Sequence, residues 1–130
     1  MIKRTLAAVF SCAALLTGAG ALAHHSLSGV YDIRKGGELT GVVTKVEFTN
    51  PHGAMHIDVD NPDGTKTEWV LTTGSANVLA GLGFGRGGPN TVVNGDVVKI
   101  TYFPARNGKP LGFMRSITLP NAKTIEFQPD

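Results

Sequence analysis

Glu38-Leu39-Thr40-Gly41-Val42-Val43-Thr44-Lys45-Val46-Glu47-Phe48 alternates along its whole length, with Leu39, Gly41, Val43 and Lys45 on one side and Thr40, Val42, Thr44 and Val46 on the other. A period of two in a Val/Thr-rich run predicts a long β-strand. Gly41 in its interior permits the sharp coil or bulge that a sheet needs to curl into a small barrel. Just downstream, Ala54–Asp60 alternates again, His56, Asp58 and Asp60 opposing Met55, Ile57 and Val59. Asn61-Pro62-Asp63-Gly64 is a tight-turn signal that joins this strand to Thr65–Thr72, which carries Trp69 and Val70. These runs make a three-strand meander.

Beyond the meander, Ser75 is a candidate N-cap for a short helix over Ala76–Leu82, with Gly81, Gly83 and Gly85 as left-handed positions at its end. No other helix is expected. The loop Gly85–Asn90 leads through Asn94-Gly95-Asp96 into a strand over Val97–Phe103. Arg106-Asn107-Gly108-Lys109 is a hairpin signal, returning through Gly112 to Leu119, and a short last strand is expected near Thr124–Phe127. The predicted fold is mainly β. Three strands, one helix, then two or three strands is the order of an oligonucleotide/oligosaccharide-binding (OB-like) Greek-key barrel of five to six strands, with the helix between strands three and four. A β-sandwich, which uses seven or more strands and has no preferred place for that helix, is the competing architecture.

Upstream, Lys3-Arg4 is a short positive region, and Thr5 through Ala23 carries no charge, with Leu6, Val9, Phe10, Leu15 and Leu16 at its centre. Ala21-Leu22-Ala23 supplies a small-x-small cleavage pattern. Residues 1–23 therefore read as a signal peptide cut before His24, and residues 24–130 as one domain of a periplasmic or secreted protein with no membrane span after cleavage. That length builds one modest core and excludes a multi-domain enzyme. The chain has 12 Lys and Arg against 10 Asp and Glu, and Lys3 and Arg4 are the two in excess, so the mature part has zero net charge apart from its termini. A neutral chain has little counterion-release drive toward nucleic acid and no polybasic attraction to anionic lipid. The single cysteine, Cys12, falls inside the signal, leaving no disulfide, thiolate metal site or cysteine nucleophile.

All four histidines, His24, His25, His52 and His56, survive cleavage. A free His24 offers its α-amine and imidazole Nδ1 to one ion, and a second imidazole would complete a nitrogen-rich planar set that suits copper(II). Ligation would weaken in acid, because the amine and imidazole take up protons. In Asn50-Pro51-His52 the proline fixes a turn that aims the histidine at a rim. If His52 and His56 both lay in extended strand, their Cα atoms would be roughly 13 Å apart at about 3.3 Å per residue, so a site would need the N-terminal arm folded back. The expected metal ligands are then His24, His25 and His52, with Asp32, Glu47 or water as a fourth. A frayed N-terminal end, a turn histidine bonded to a carbonyl and a strand-surface His56 are the structural roles open to the same residues.

Other chemistry is thin. Gly81–Gly88 follows a helix and lacks the lysine of a phosphate loop, the serines form no Gly-x-Ser-x-Gly elbow, and no His-Glu-x-x-His spacing occurs. Asp58 and Asp60 read as a solvated strand edge. Most of the mature aromatics, Tyr31, Phe48, Trp69, Phe84, Tyr102, Phe103, Phe113 and Phe127, fall at strand positions and read as core.

The pattern His24-His25-Ser26, Gly41-Val42-Val43, Val46-Glu47-Phe48-Thr49-Asn50-Pro51-His52, Trp69, Ser75-Ala76-Asn77, Gly95-Asp96 and Leu119-Pro120 resembles a family of small exported bacterial domains of unknown function that carry an Asn-Pro-His motif. It departs from that pattern at Gly53-Ala54-Met55, where a bulky aromatic after the motif histidine is common. The resemblance implies export and a barrel and supplies no activity. The residues lead to the expectation of a non-enzymatic periplasmic binding module with a copper-type histidine site. The alternative is a metal-free interaction domain that meets an envelope partner or small ligand through the barrel loops.

Overall fold

A computed structural model of the chain describes residues 27–128. The signal-peptide segment, its cleavage site, His24 and His25 lie outside the described residues. The chain forms a one-turn helix α1 (Leu27–Val30), then β1 (Gly37–Glu47), β2 (Ala54–Asp60), β3 (Lys66–Thr72), α2 (Ala76–Gly81), β4 (Val97–Pro104), β5 (Leu111–Thr118) and β6 (Thr124–Glu126).

The sheet runs β3-β2-β1-β4-β5-β6 and closes on itself where β3 pairs in parallel with β5, Val70 to Leu111, Leu71 to Gly112 and Thr72 to Phe113. The result is a closed five-strand barrel with β6 added on the far side of β5. Closure in the order 1-2-3-5-4-1, with the helix between β3 and β4, is the expected OB-like arrangement. β1 closes it by serving two partners. Residues 37–42 pair with β4 and residues 42–47 with β2, so Val42 faces both Val97 and Asp58.

Alternation buries one side of β2 and β4 most clearly, while β5, with partners on both edges, is buried over most of its length. Val43, Met55, Ile57, Leu71, Val98, Ile100, Tyr102, Met114 and Ile117 fill the barrel, most of them wholly inaccessible. Leu79 of α2 joins that core, and Phe84 and Phe127 meet at 5.7 Å beside it. Ser75 caps α2, its hydroxyl accepting from the Val78 N–H at 3.3 Å.

Three local expectations are corrected. α1 was not foreseen; its single turn, closed by the Tyr31 N–H on the Leu27 carbonyl at 2.9 Å, is too short to leave a periodic signal and is held by packing of Leu27 and Tyr31 on Ala105, Phe103, Leu111 and Phe113 outside the barrel. The β1 bulge falls between Val43 and Lys45, just after the strand changes partner, and not at Gly41. Gly81 remains helical, and the left-handed conformations belong to Gly83 and Gly85. Among the described residues no helix is long and apolar enough to cross a membrane.

Candidate functional site

The motif Asn50-Pro51-His52 lies in the β1–β2 loop, which is clamped onto the segment between β3 and α2. The Gly53 N–H donates to the Gly74 carbonyl at 3.0 Å and the Thr73 N–H to the Gly53 carbonyl at 2.9 Å. The Ala76 N–H, one of the donors that a helix start leaves unpaired, is shared between the Thr49 carbonyl and Asn50 Oδ1, each at 3.1 Å. Asn50 is thus a fastener. The Asn50–Pro51 peptide is cis, and the Thr49 hydroxyl donates to the His52 carbonyl at 2.6 Å.

His52 is exposed, and its imidazole makes no hydrogen bond or ion pair with the described residues. The turn-histidine role, with the ring bonded to a carbonyl, is therefore not the one it takes. His52 precedes β2 and His56 lies within it, so the two are not members of one extended run. Replacing Asn50 with alanine is expected to cost about 0.5–1.5 kcal/mol in urea unfolding, the worth of one hydrogen bond, whereas N50D, which keeps the acceptor, should recover most of it. His52→Ala should change stability by less than about 0.5 kcal/mol.

The other histidine is placed differently. His56 sits on the outer face of β2, its side chain 19% exposed, with Nδ1 3.2 Å from Glu68 Oε1 of β3 and Nε2 3.9 Å from Glu47 Oε2 of β1. Lys45, cross-strand partner of His56, pairs with the same Glu47 carboxylate. The hydrogen bond and charge of Lys45 hold the Glu47 carboxyl below the usual carboxylate range against the opposing effect of burial, with a smaller contribution from His56. This cluster was not legible as a unit in the sequence, because Glu47, His56 and Glu68 meet only through the register of three strands.

Both carboxylates expected as optional metal ligands are already engaged. Glu47 serves Lys45 and His56. Asp32, nearly buried beside the end of β4, accepts from the Arg34 N–H at 3.3 Å and Nε at 3.4 Å, and its other oxygen lies 3.8 Å from Lys35 Nζ. Burial alone would raise the Asp32 carboxyl, and the hydrogen bonds and charge of Arg34, with Arg106 further off, bring it below its ordinary value. Among the described residues no group of three or more His, Cys, Asp or Glu side chains is arranged to hold a metal ion.

The N-terminal arm runs over the outside of the β3–β5 seam. Tyr31 stacks edge-on against Phe113 at 5.7 Å, and its hydroxyl shares a 2.7 Å hydrogen bond with the Thr72 hydroxyl. Thr72 is the register partner of Ala54, two residues past His52. The arm therefore lies between the β1–β2 loop and the β4–β5 turn, the two loops that flank the ligand face in barrels of this class. Fold and loops define a small OB-like β-barrel domain.

More narrowly, the chain belongs to DUF6152, a family of unknown function whose model matches residues 13–114. No curated protein and no solved structure matches it.

Proposed function

We propose that the mature chain, His24 to Asp130, is an exported, non-enzymatic binding module of the periplasm, and that His24, His25 and His52 take a copper(II)-type ion. One observation carries this reading. The Tyr31–Thr72 hydrogen bond fixes the arm to the end of β3, opposite Ala54, the residue that opens β2 just after the motif loop, and a chain start at His24 would be tethered to that anchor with the exposed, unengaged His52 imidazole two residues before Ala54. A free α-amine with two or three imidazoles is a nitrogen donor set suited to a tetragonal ion. Apolar packing of Leu27 and Tyr31 would lower the entropy cost of bringing that set together.

Copper(II) titration followed by electron spin resonance tests this, using protein that the cell has exported and cleaved, its start verified by mass spectrometry. A single nitrogen-rich signal is expected, lost when one residue is added before His24 and weakened about tenfold or more in His52→Ala, a loss that even an outer-shell partner can cause. Weak, heterogeneous binding equal in all three proteins would overturn the metal reading. The metal-free alternative, an interaction domain working through its loops, is favoured by a separate observation, the charge around the β4–β5 turn.

A further inference from the structure

The mature chain has zero net charge, yet the fold does not distribute its charges evenly. Asp58, Asp60, Asp63 and Glu68 lie together on the β2–β3 hairpin with Lys66, whose ammonium is 3.0 Å from Asp60. Cations gather instead around an open cleft of about 390 Å³ lined by Asp32, Lys35, Pro104, Ala105, Arg106 and Gly108. Lys35 enters it from the arm and Arg106 from the β4–β5 turn, Arg34 reaches the lining carboxylate of Asp32 from outside, and Lys109 follows Gly108 in the same turn. Outside the lining, Arg115 holds its guanidinium 4.9 Å over the ring of Phe103, the residue before Pro104, and near Gly36, the residue after Lys35.

Against these cations stands one carboxylate in the cleft, Asp32. Glu38, the next acidic residue along the chain, is occupied by Lys99 at 3.0 Å. Arg106, Lys109 and Arg115 have no carboxylate within ion-pair distance among the described residues. Arg106 is held in place, its Nε donating to the Ser28 carbonyl at 2.8 Å and its backbone N–H to the Val30 carbonyl at 3.0 Å. Beside them two large aliphatic side chains protrude, Val30 at 44% and Ile33 at 45% exposure.

We propose that this crescent, Arg34, Lys35, Arg106, Lys109 and Arg115 around Val30 and Ile33, is a docking surface for the phosphate-rich face of an anionic lipid bilayer. Clustered cations near such a surface gain electrostatic attraction additively, and protruding aliphatics add a shallow apolar contact. Arginine suits phosphate by its forked donors. The zero whole-chain charge led to the expectation of no attraction to anionic lipid, and the local distribution overrides it, because screening limits each cation to what lies within about 8 Å at physiological salt and the acidic hairpin is a separate element. The surface shares no ligand with the histidines, so it stands or falls apart from the copper reading.

Co-sedimentation of the exported protein with vesicles, in chelator, tests it. Binding is expected to phosphatidylglycerol–phosphatidylcholine vesicles and not to phosphatidylcholine alone, and to be lost near 1 M salt, where screening shortens to about 3 Å. The double variant K35Q/K109Q alters two exposed side chains outside the core, and each lost charge should weaken binding about fivefold. The control K66Q/K123Q, with charges lost elsewhere, should bind as the parent does. No binding to anionic vesicles, or equal weakening in both double variants, would overturn the proposal. So would capture of polyglutamate with vesicles ignored, which would make the partner an acidic protein segment.

Discussion

Leu71→Ala is expected to lower the unfolding free energy by about 2–5 kcal/mol, the range for removing a fully buried leucine whose surroundings relax only in part. Leu71 is wholly inaccessible and lies at the parallel β3–β5 junction, opposite Gly112. This junction closes the barrel and joins strands far apart in the chain, so its packing compensates a long loop closure. A Cβ at Gly112 would stand 3.2 Å from Leu71 Cδ1, so the residue directly opposite, a glycine, has no side chain with which to fill the void. Typical domains hold only about 5–15 kcal/mol in total, so a loss of this size takes up a large share of it. Urea unfolding followed through Trp69, the one tryptophan, measures it. Val97→Ala, at a side chain 56% exposed, should stay within about 0.5 kcal/mol. A loss at Leu71 no larger than that control would mean that β3 and β5 are not closed on each other in solution.

Gly41→Val is expected to destabilise by about 1–3 kcal/mol, although valine is the better strand former. A Cβ at position 41 would meet the Asp58 carbonyl oxygen at 2.7 Å, Ile57 Cδ1 at 3.1 Å and Val59 Cγ2 at 3.2 Å. The first of these is backbone and gives way only if β2 moves. Gly41 directly precedes Val42, where β1 passes from β4 to β2. Gly41→Ala should err in the same direction by less. Propensity predicts a gain and packing a loss, so the sign of the change in urea midpoint decides. A valine variant more stable than the parent would place the close approach elsewhere along β1.

The strands were legible in the sequence because each half-buried run alternates, and Asn61–Gly64 and Arg106–Lys109 mark their turns by composition. Turn chemistry acts over four residues, so no tertiary context is needed to read it; Gly64 and Gly108 do take the positive φ those turns require, +84° and +73°. The bulge after Val43 was less legible. It depends on how two partners divide β1, and Gly41 signalled the close approach without signalling the displaced residue.

The candidate site divides in the same way. His52 as an exposed rim residue followed from the proline before it, while the work of Asn50 on the start of α2 did not, since the bond spans 26 residues of chain. Asp32 and Glu47 read as available oxygen ligands in one dimension. In the folded chain each is held by its own neighbours, Asp32 by Arg34 and Lys35, Glu47 by Lys45 and His56.

By itself the sequence determined the strand order and the place of α2 within it, the barrel class that follows from them, and the exposure of the Asn-Pro-His histidine, because these depend on periodicity and short-range turn geometry. Only the tertiary structure decided which charges are neighbours. It set His56 between two carboxylates, laid the N-terminal arm on the β3–β5 seam, and brought Lys35 and Arg106 from separate segments to one cleft. The physical reason is that electrostatic and packing energies depend on distances across strand register, and register joins residues that composition merely counts.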